Sequence, residues 1–210
     1  MSAHGPKAAK FLRDEVADKI KTGYARVVKW GDIKHNVPRH LKISPAALVP
    51  HKSRSFQTIL DLSFALRYKG GIVPSVNSTT LKQAPAEAMV QLRECLKRIV
   101  YTLASNYDPN KSFVFAKVDI KDGFWRMKVS ADAAWNFCYV LPAIKPVTNQ
   151  DEIEIVVPSS LQMGWCESPP YFCAATETAR DVIDSLLNSS IPLPDHPFLP
   201  KMLEQSNMLP

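Results

Sequence analysis

Apolar positions first recur at helical spacing in the segment AKFLRDEVADKIKTGY, residues 9 to 24. Phe11, Leu12, Val16 and Ile20 form one stripe with charges between them, which predicts an amphipathic helix. From Gly31 to Pro50 the prolines Pro38, Pro45 and Pro50 break any periodicity, so an extended, basic connection is expected. SFQTILDLSF, rich in β-branched and aromatic residues, predicts a strand. The preceding HKSRS then falls at a turn or hairpin tip, with Lys52 and Arg54 pointing into solvent.

Helical periodicity returns in PAEAMVQLRECLKRIVYTLAS. Met89, Leu92, Leu96, Ile99, Val100 and Leu103 define its apolar face, and Pro85 is tolerated near the first turn. Such a stripe is expected to face the core. Three strand-like runs follow: SFVFAKVDI, WNFCYVLP and EIEIVVP, the last alternating along its length. SPPYFCAATETARDVIDSLLNSS predicts a closing helix with Ser168 as N-cap and Pro169 in its first position. The tail IPLPDHPFLPKMLEQSNMLP stabilises no final element, having Pro192, Pro194, Pro197, Pro200 and Pro210. No internal repeat or low-complexity block is visible.

Composition narrows the class without changing the elements. The chain has 210 residues, 46% apolar and 22% charged, which is ordinary for a globular protein. Seventeen prolines against seven glycines argue against a simple helical bundle and for an α+β chain. Cys95, Cys138, Cys166 and Cys173 lie in separate segments with no C-x-x-C pair, the pattern of buried thiols in a reducing compartment. The first residues hold no apolar signal-like run, and nothing approaches the roughly 20 apolar residues of a bilayer span. A soluble, intracellular protein, cytoplasmic or nuclear, is expected. Of the net charge of +6, the first sixty residues carry twelve Lys and Arg against four acids. That asymmetry suits a polyanionic partner, although a solvated basic face gives the same count.

Candidate chemistry centres on KVDIKDGFWRMKVS, residues 117 to 130. An Asp ending an apolar run caps a turn, pairs with a base or holds a metal, and spacing alone favours the cap. Asp122 has a still stronger claim to shaping the turn. The apolar FVFAKV before Asp119 and GFW after it place its carboxylate at the rim of a sheet.

KVDIKDGFWRMKV, followed about forty residues later by LQMGWCESPPYFCAATE, resembles motifs A and B of the reverse transcriptases, especially those of retrotransposons and retrovirus-like elements. VPHKSRSFQTILDLSF resembles their fingers hairpin, so the likeness covers roughly residues 40 to 188 in matching order. It implies right-hand polymerase architecture, an antiparallel sheet packed on helices. The expected segments are an N-terminal basic helix and connection over 1–39, a fingers region over 40–111, a partial palm over 112–190 and a Pro-rich tail over 191–210. It also implies RNA-directed DNA polymerase chemistry, in which two Mg²⁺ ions clamp the attacking hydroxyl and the leaving pyrophosphate oxygens. By the same likeness, Asp119 is the catalytic metal ligand and the Ile120 carbonyl a further ligand. Lys52, Arg54, Asp122, Gly123, Phe124 and Met163 line the nucleotide, and Gly164 and Trp165 approach the template. Phe124 is the candidate gate against a ribose 2′-hydroxyl, its bland alternative being an ordinary core aromatic. Partners would be RNA or DNA template-primer, deoxynucleoside triphosphates and the remainder of a polyprotein.

This sequence departs from the family pattern in places. Gln57 is neutral where the hairpin usually has a base, Met163 stands where Gln is frequent, and Pro170 replaces a small residue. Motif C, a hairpin with adjacent aspartates, is missing, since the chain contains no Asp-Asp dipeptide. The expectation is the fingers and partial palm of such a domain, inactive alone, as a fragment of a longer retroelement polyprotein or as a decayed copy. The alternative is a non-catalytic nucleic-acid-binding protein derived from such a domain. A metabolic enzyme is disfavoured: the chain has no Gly-rich phosphate loop or nucleophile elbow, and His4, His35, His40, His51 and His196 show no ligand spacing.

Overall fold

The structure is a computed structural model that describes residues 5–50, 56–110, 112 and 119–189. The first amphipathic stripe forms α1 (Gly5–Lys21), which buries Ala8, Leu12 and Val16. A tight turn follows, with Gly23 N–H donating to Ile20 O at 3.0 Å and Tyr24 N–H to Lys19 O at 2.8 Å. The chain then enters β1 (Ala25–Lys29) and the short helix α2 (Trp30–Ile33). The strand was not expected from the sequence, because its two valines are hemmed by cations and it shows no alternation.

The fingers-like segment contains β2 (Ala46–Pro50) and β3 (Phe56–Leu60), paired antiparallel from Ala46 with Leu60 to Pro50 with Phe56. The strand expected in SFQTILDLSF is therefore present. A second hairpin joins β4 (Leu66–Tyr68) to β5 (Gly71–Val73), and α3 (Val76–Thr79) follows, with Ser75 Oγ accepting from Ser78 N–H at its start.

The long stripe after Pro85 divides into α4 (Ala86–Arg93) and α5 (Cys95–Ser105), separated at Glu94. Here the structure corrects the sequence reading. Helix α5 buries no residue, and Leu96 and Val100 are 76% and 64% exposed. The physical reason is the break at Glu94: α4 packs along the closing helix, whereas α5 diverges from it and reaches it through the ion pair of Arg98 with Glu177 at 3.6 Å.

Residues 124–126 and 133–137 form single 3-10 turns before β6 (Tyr139–Val140), so WNFCYVLP is only in part a strand. EIEIVVP yields β7 (Glu154–Pro158), the centre of an antiparallel sheet in the order β1-β7-β6. Flanked on both edges, β7 buries both faces, with Ile155, Val156 and Val157 at most 1% exposed. Val156 joins a core containing Leu12, Val16, Leu48, Leu60, Leu62, Phe137 and Tyr139, while Ile155 and Val157 pack with Ala134 and Cys138 on the opposite side. One core thus draws on the N-terminal helix, the β2–β3 hairpin and the central sheet. The closing helix α6 (Ser168–Leu187) has Glu167, not Ser168, at its N-cap position. The architecture is α+β, with small antiparallel sheets and helices. No described helix is long and apolar enough to cross a membrane.

Candidate functional site

Two loops carry the residues singled out in the sequence. The first runs from Asp119 to Met127. Most of the strand expected before Asp119, residues 113–118, lies outside the described residues, as do Lys52 and Arg54. Asp119 and Ile120 are exposed and irregular in backbone. Asp122 adopts φ 56°, the left-handed conformation that Asp and Asn tolerate better than most residues. Its carboxylate meets Lys19 Nζ at 3.0 Å, and the same ammonium lies 4.5 Å from the centre of the Trp125 ring. Helix α1 therefore holds the turn from one side through an ion pair and a cation–π contact.

Helix α6 holds it from the other. A Cβ on Gly123 would come within 2.8 Å of the Phe172 ring, so only glycine lets the turn sit this close. The rings of Phe124 and Phe172 are edge to face with centroids 5.2 Å apart. Phe124 is half-buried and placed by this contact.

The second loop, Leu161 to Glu167, folds onto β3 and α3. Gly164 has φ 99°, and an added Cβ would lie 2.8 Å from Leu60 O. Asn77 clamps this loop: its Nδ2 donates to Gly164 O at 2.9 Å and its Oδ1 accepts from Cys166 N–H at 3.0 Å. Trp165 Nε1–H donates to Thr80 Oγ1 at 2.9 Å while its ring stacks on Tyr171 and meets Phe137 edge-on. Met163 is exposed, and its Sδ accepts from Gln57 Nε2 at 3.7 Å. Two of the three residues that depart from the reverse-transcriptase pattern, Gln57 and Met163, thus touch each other.

Glu167 is 4% exposed and its Oε2 accepts from the N–H groups of Gln83 and Ala84, both at 2.8 Å. Ser168 is not the cap expected, because its hydroxyl is turned back to donate to Gln162 O at 2.7 Å. Sequence reasoning missed Lys19, Asn77 and Glu167 as organising residues. Each acts on a partner far along the chain, and no local pattern marks it.

The cysteines divide. Cys138 and Cys173 are buried, Cys95 is half-buried and Cys166 is exposed, a correction to the expectation of four buried thiols. Cys166 is exposed on the loop that Asn77 clamps, where its N–H, not its thiol, is engaged. Burial pushes the Cys138 thiol up to about 12, against a small opposing effect of Arg26. Burial, then Glu177, also raises that of Cys173.

Among the described residues no three His, Cys, Asp or Glu side chains converge as a metal-binding group. Asp119 and the Ile120 carbonyl supply one carboxylate and one neutral oxygen, a donor set that does not fit a pair of Mg²⁺ ions without further carboxylates. Compared with known proteins, the chain matches no family model and no curated protein.

Proposed function

We propose that this chain is the fingers and partial palm of a reverse-transcriptase-like polymerase, a nucleic-acid-binding unit that does not synthesise DNA by itself. The observation that carries the reading is the meeting of the two motif-like segments. Gly123 and Phe124 of the first pack on Phe172 of the second, and the loop at Gly164 lies against Leu60 of the fingers-like hairpin. Segments far apart in sequence and resembling one family's motifs are thereby neighbours in space.

In this reading Asp119 is the carboxylate of motif A, Ile120 supplies a carbonyl, and Phe124 forms the floor under the sugar. Lys52, Arg54 and Met163 face the nucleotide, and the Gly164–Trp165 loop supports the template. Mg²⁺, bound with further carboxylates, would stabilise charge on the transferring phosphoryl group. In this reading the chain's own contribution is one carboxylate, Asp119, near the turn that Lys19 and Phe172 pack.

A non-catalytic role in nucleic-acid binding is the second reading, favoured by the single carboxylate at Asp119 and by the ion pair that occupies Asp122. Both readings predict template-primer binding that weakens steeply with salt. Primer extension on a homopolymer template tests the inactivity that both readings predict: the chain alone incorporates nothing. Incorporation that disappears in Asp119→Ala would overturn the claim of inactivity.

A further inference from the structure

The β4–β5 hairpin leaves the core between two fixed points. At its base Asn77 N–H donates to Leu62 O at 2.9 Å, and Asn77 Nδ2 bonds both Ser63 Oγ and Gly164 O at 2.9 Å. The excursion is closed where it starts and tied to the loop of the candidate site. Beyond that base every residue of both strands is exposed.

Tyr68 is 59% exposed. Its ring lies over the turn, such that a Cβ on Gly70 would stand 2.7 Å from Cε2. A large aromatic is thus seated on a glycine with most of its surface in solvent. Arg67 and Lys69 adjoin it in sequence, and neither has an ion pair or hydrogen bond among the described residues. Residues 33 to 86 carry eight Lys and Arg and only one acid, Asp61. Asp61 is itself engaged, accepting from Ser63 N–H at 3.1 Å.

Exposed aromatic surface amid unpaired cations and almost no acids complements a polyanion with accessible ring faces. We propose that the β4–β5 hairpin binds single-stranded nucleic acid, with an unpaired base stacked on Tyr68 and Arg67 and Lys69 meeting neighbouring phosphates. The inference rests on the nucleic-acid reading above and adds to it a location and a strand preference. A base paired inside a duplex cannot offer its face to the ring, which is why the partner is single-stranded.

The test is fluorescence anisotropy of the full chain with labelled oligothymidylate and with a duplex of equal length. Tyr68→Ala is expected to weaken oligothymidylate binding on the order of tenfold. Tyr68→Phe, which keeps the ring, stays within about twofold. Replacing Arg67 and Lys69 together by Ala lowers the slope of log affinity against log salt by about 1.4. If the wild type binds and these variants bind equally well, the hairpin is not the site, although the general reading survives. Absence of oligonucleotide binding at low salt removes both. Equal losses on the duplex, or self-association that Tyr68→Ala abolishes without affecting oligothymidylate, also overturn the proposal.

Discussion

Lys19 and Asp122 meet at 3.0 Å across a sequence separation of 103, joining the first helix to the turn that follows Asp119. The Lys19 side chain is only 12% exposed and Asp122 is in the left-handed region, so two separate energies meet at one residue. Substitutions separate them. Asp122→Gly and Asp122→Asn keep the backbone preference and lose the charge, whereas Asp122→Ala loses both. Urea unfolding is expected to rank Ala below Gly and Asn by roughly 1 kcal/mol. A double-mutant cycle with Lys19→Ala should give a coupling of roughly 1 kcal/mol that shrinks with salt.

Glu167 ties the motif B-like loop to the start of α4 through two backbone N–H groups. Glu167→Ala removes the charged acceptor from two donors, on exposed Gln83 and half-buried Ala84, and should cost roughly 1–3 kcal/mol in chemical denaturation. Glu167→Gln retains an acceptor oxygen and should cost about half as much. Equal, small effects from both would show that these bonds contribute nothing net.

Thiol reactivity follows burial and the pKa shifts. Cys166 is exposed and should be alkylated first in the native protein, before the half-buried Cys95. Cys138, with its pKa pushed up to about 12, and Cys173, also raised, should react only as the chain unfolds. Mass spectrometry of a timed iodoacetamide reaction gives the order, and early labelling of Cys138 would contradict the packing around β7.

Alkaline stability should report the same core. Burial, then Glu15, raises the Tyr139 phenol above its ordinary value. The unfolded phenol ionises near pH 10 while the folded one keeps its proton, so stability present below that pH is lost as pH rises. Cys138 acts in the same direction from its ordinary value of 9.0 upward. Tyr139→Phe should therefore flatten the fall in urea midpoint above about pH 10, recovering roughly 1 kcal/mol by about pH 11.

The legible parts of this fold are those whose information is local. Leu12 and Val16 announce α1 because their spacing alone defines a face, and EIEIVVP announces the strand β7, although its alternation implies one buried face and Ile155 to Val157 are all buried. β1 was not legible, since Val27 becomes part of a strand only by pairing with Val156. The stripe containing Leu96 and Val100 predicted helix correctly and burial incorrectly, because periodicity locates an apolar face and does not supply what covers it. At the candidate site, Gly123 and Gly164 could be singled out only through the resemblance, as neighbours of a nucleotide and a template rather than of Phe172 and Leu60. Asn77 and Glu167 could not, because a polar side chain gains its role from partners that only the fold supplies.

The decisive measurement joins to this chain a palm hairpin carrying adjacent aspartates and follows deoxynucleotide incorporation on a template-primer that the joined protein is shown to bind. The polymerase reading predicts incorporation that Asp119→Ala abolishes. Binding without any incorporation, or incorporation undiminished in Asp119→Ala, would contradict the place given to Asp119 and leave nucleic-acid binding as the function.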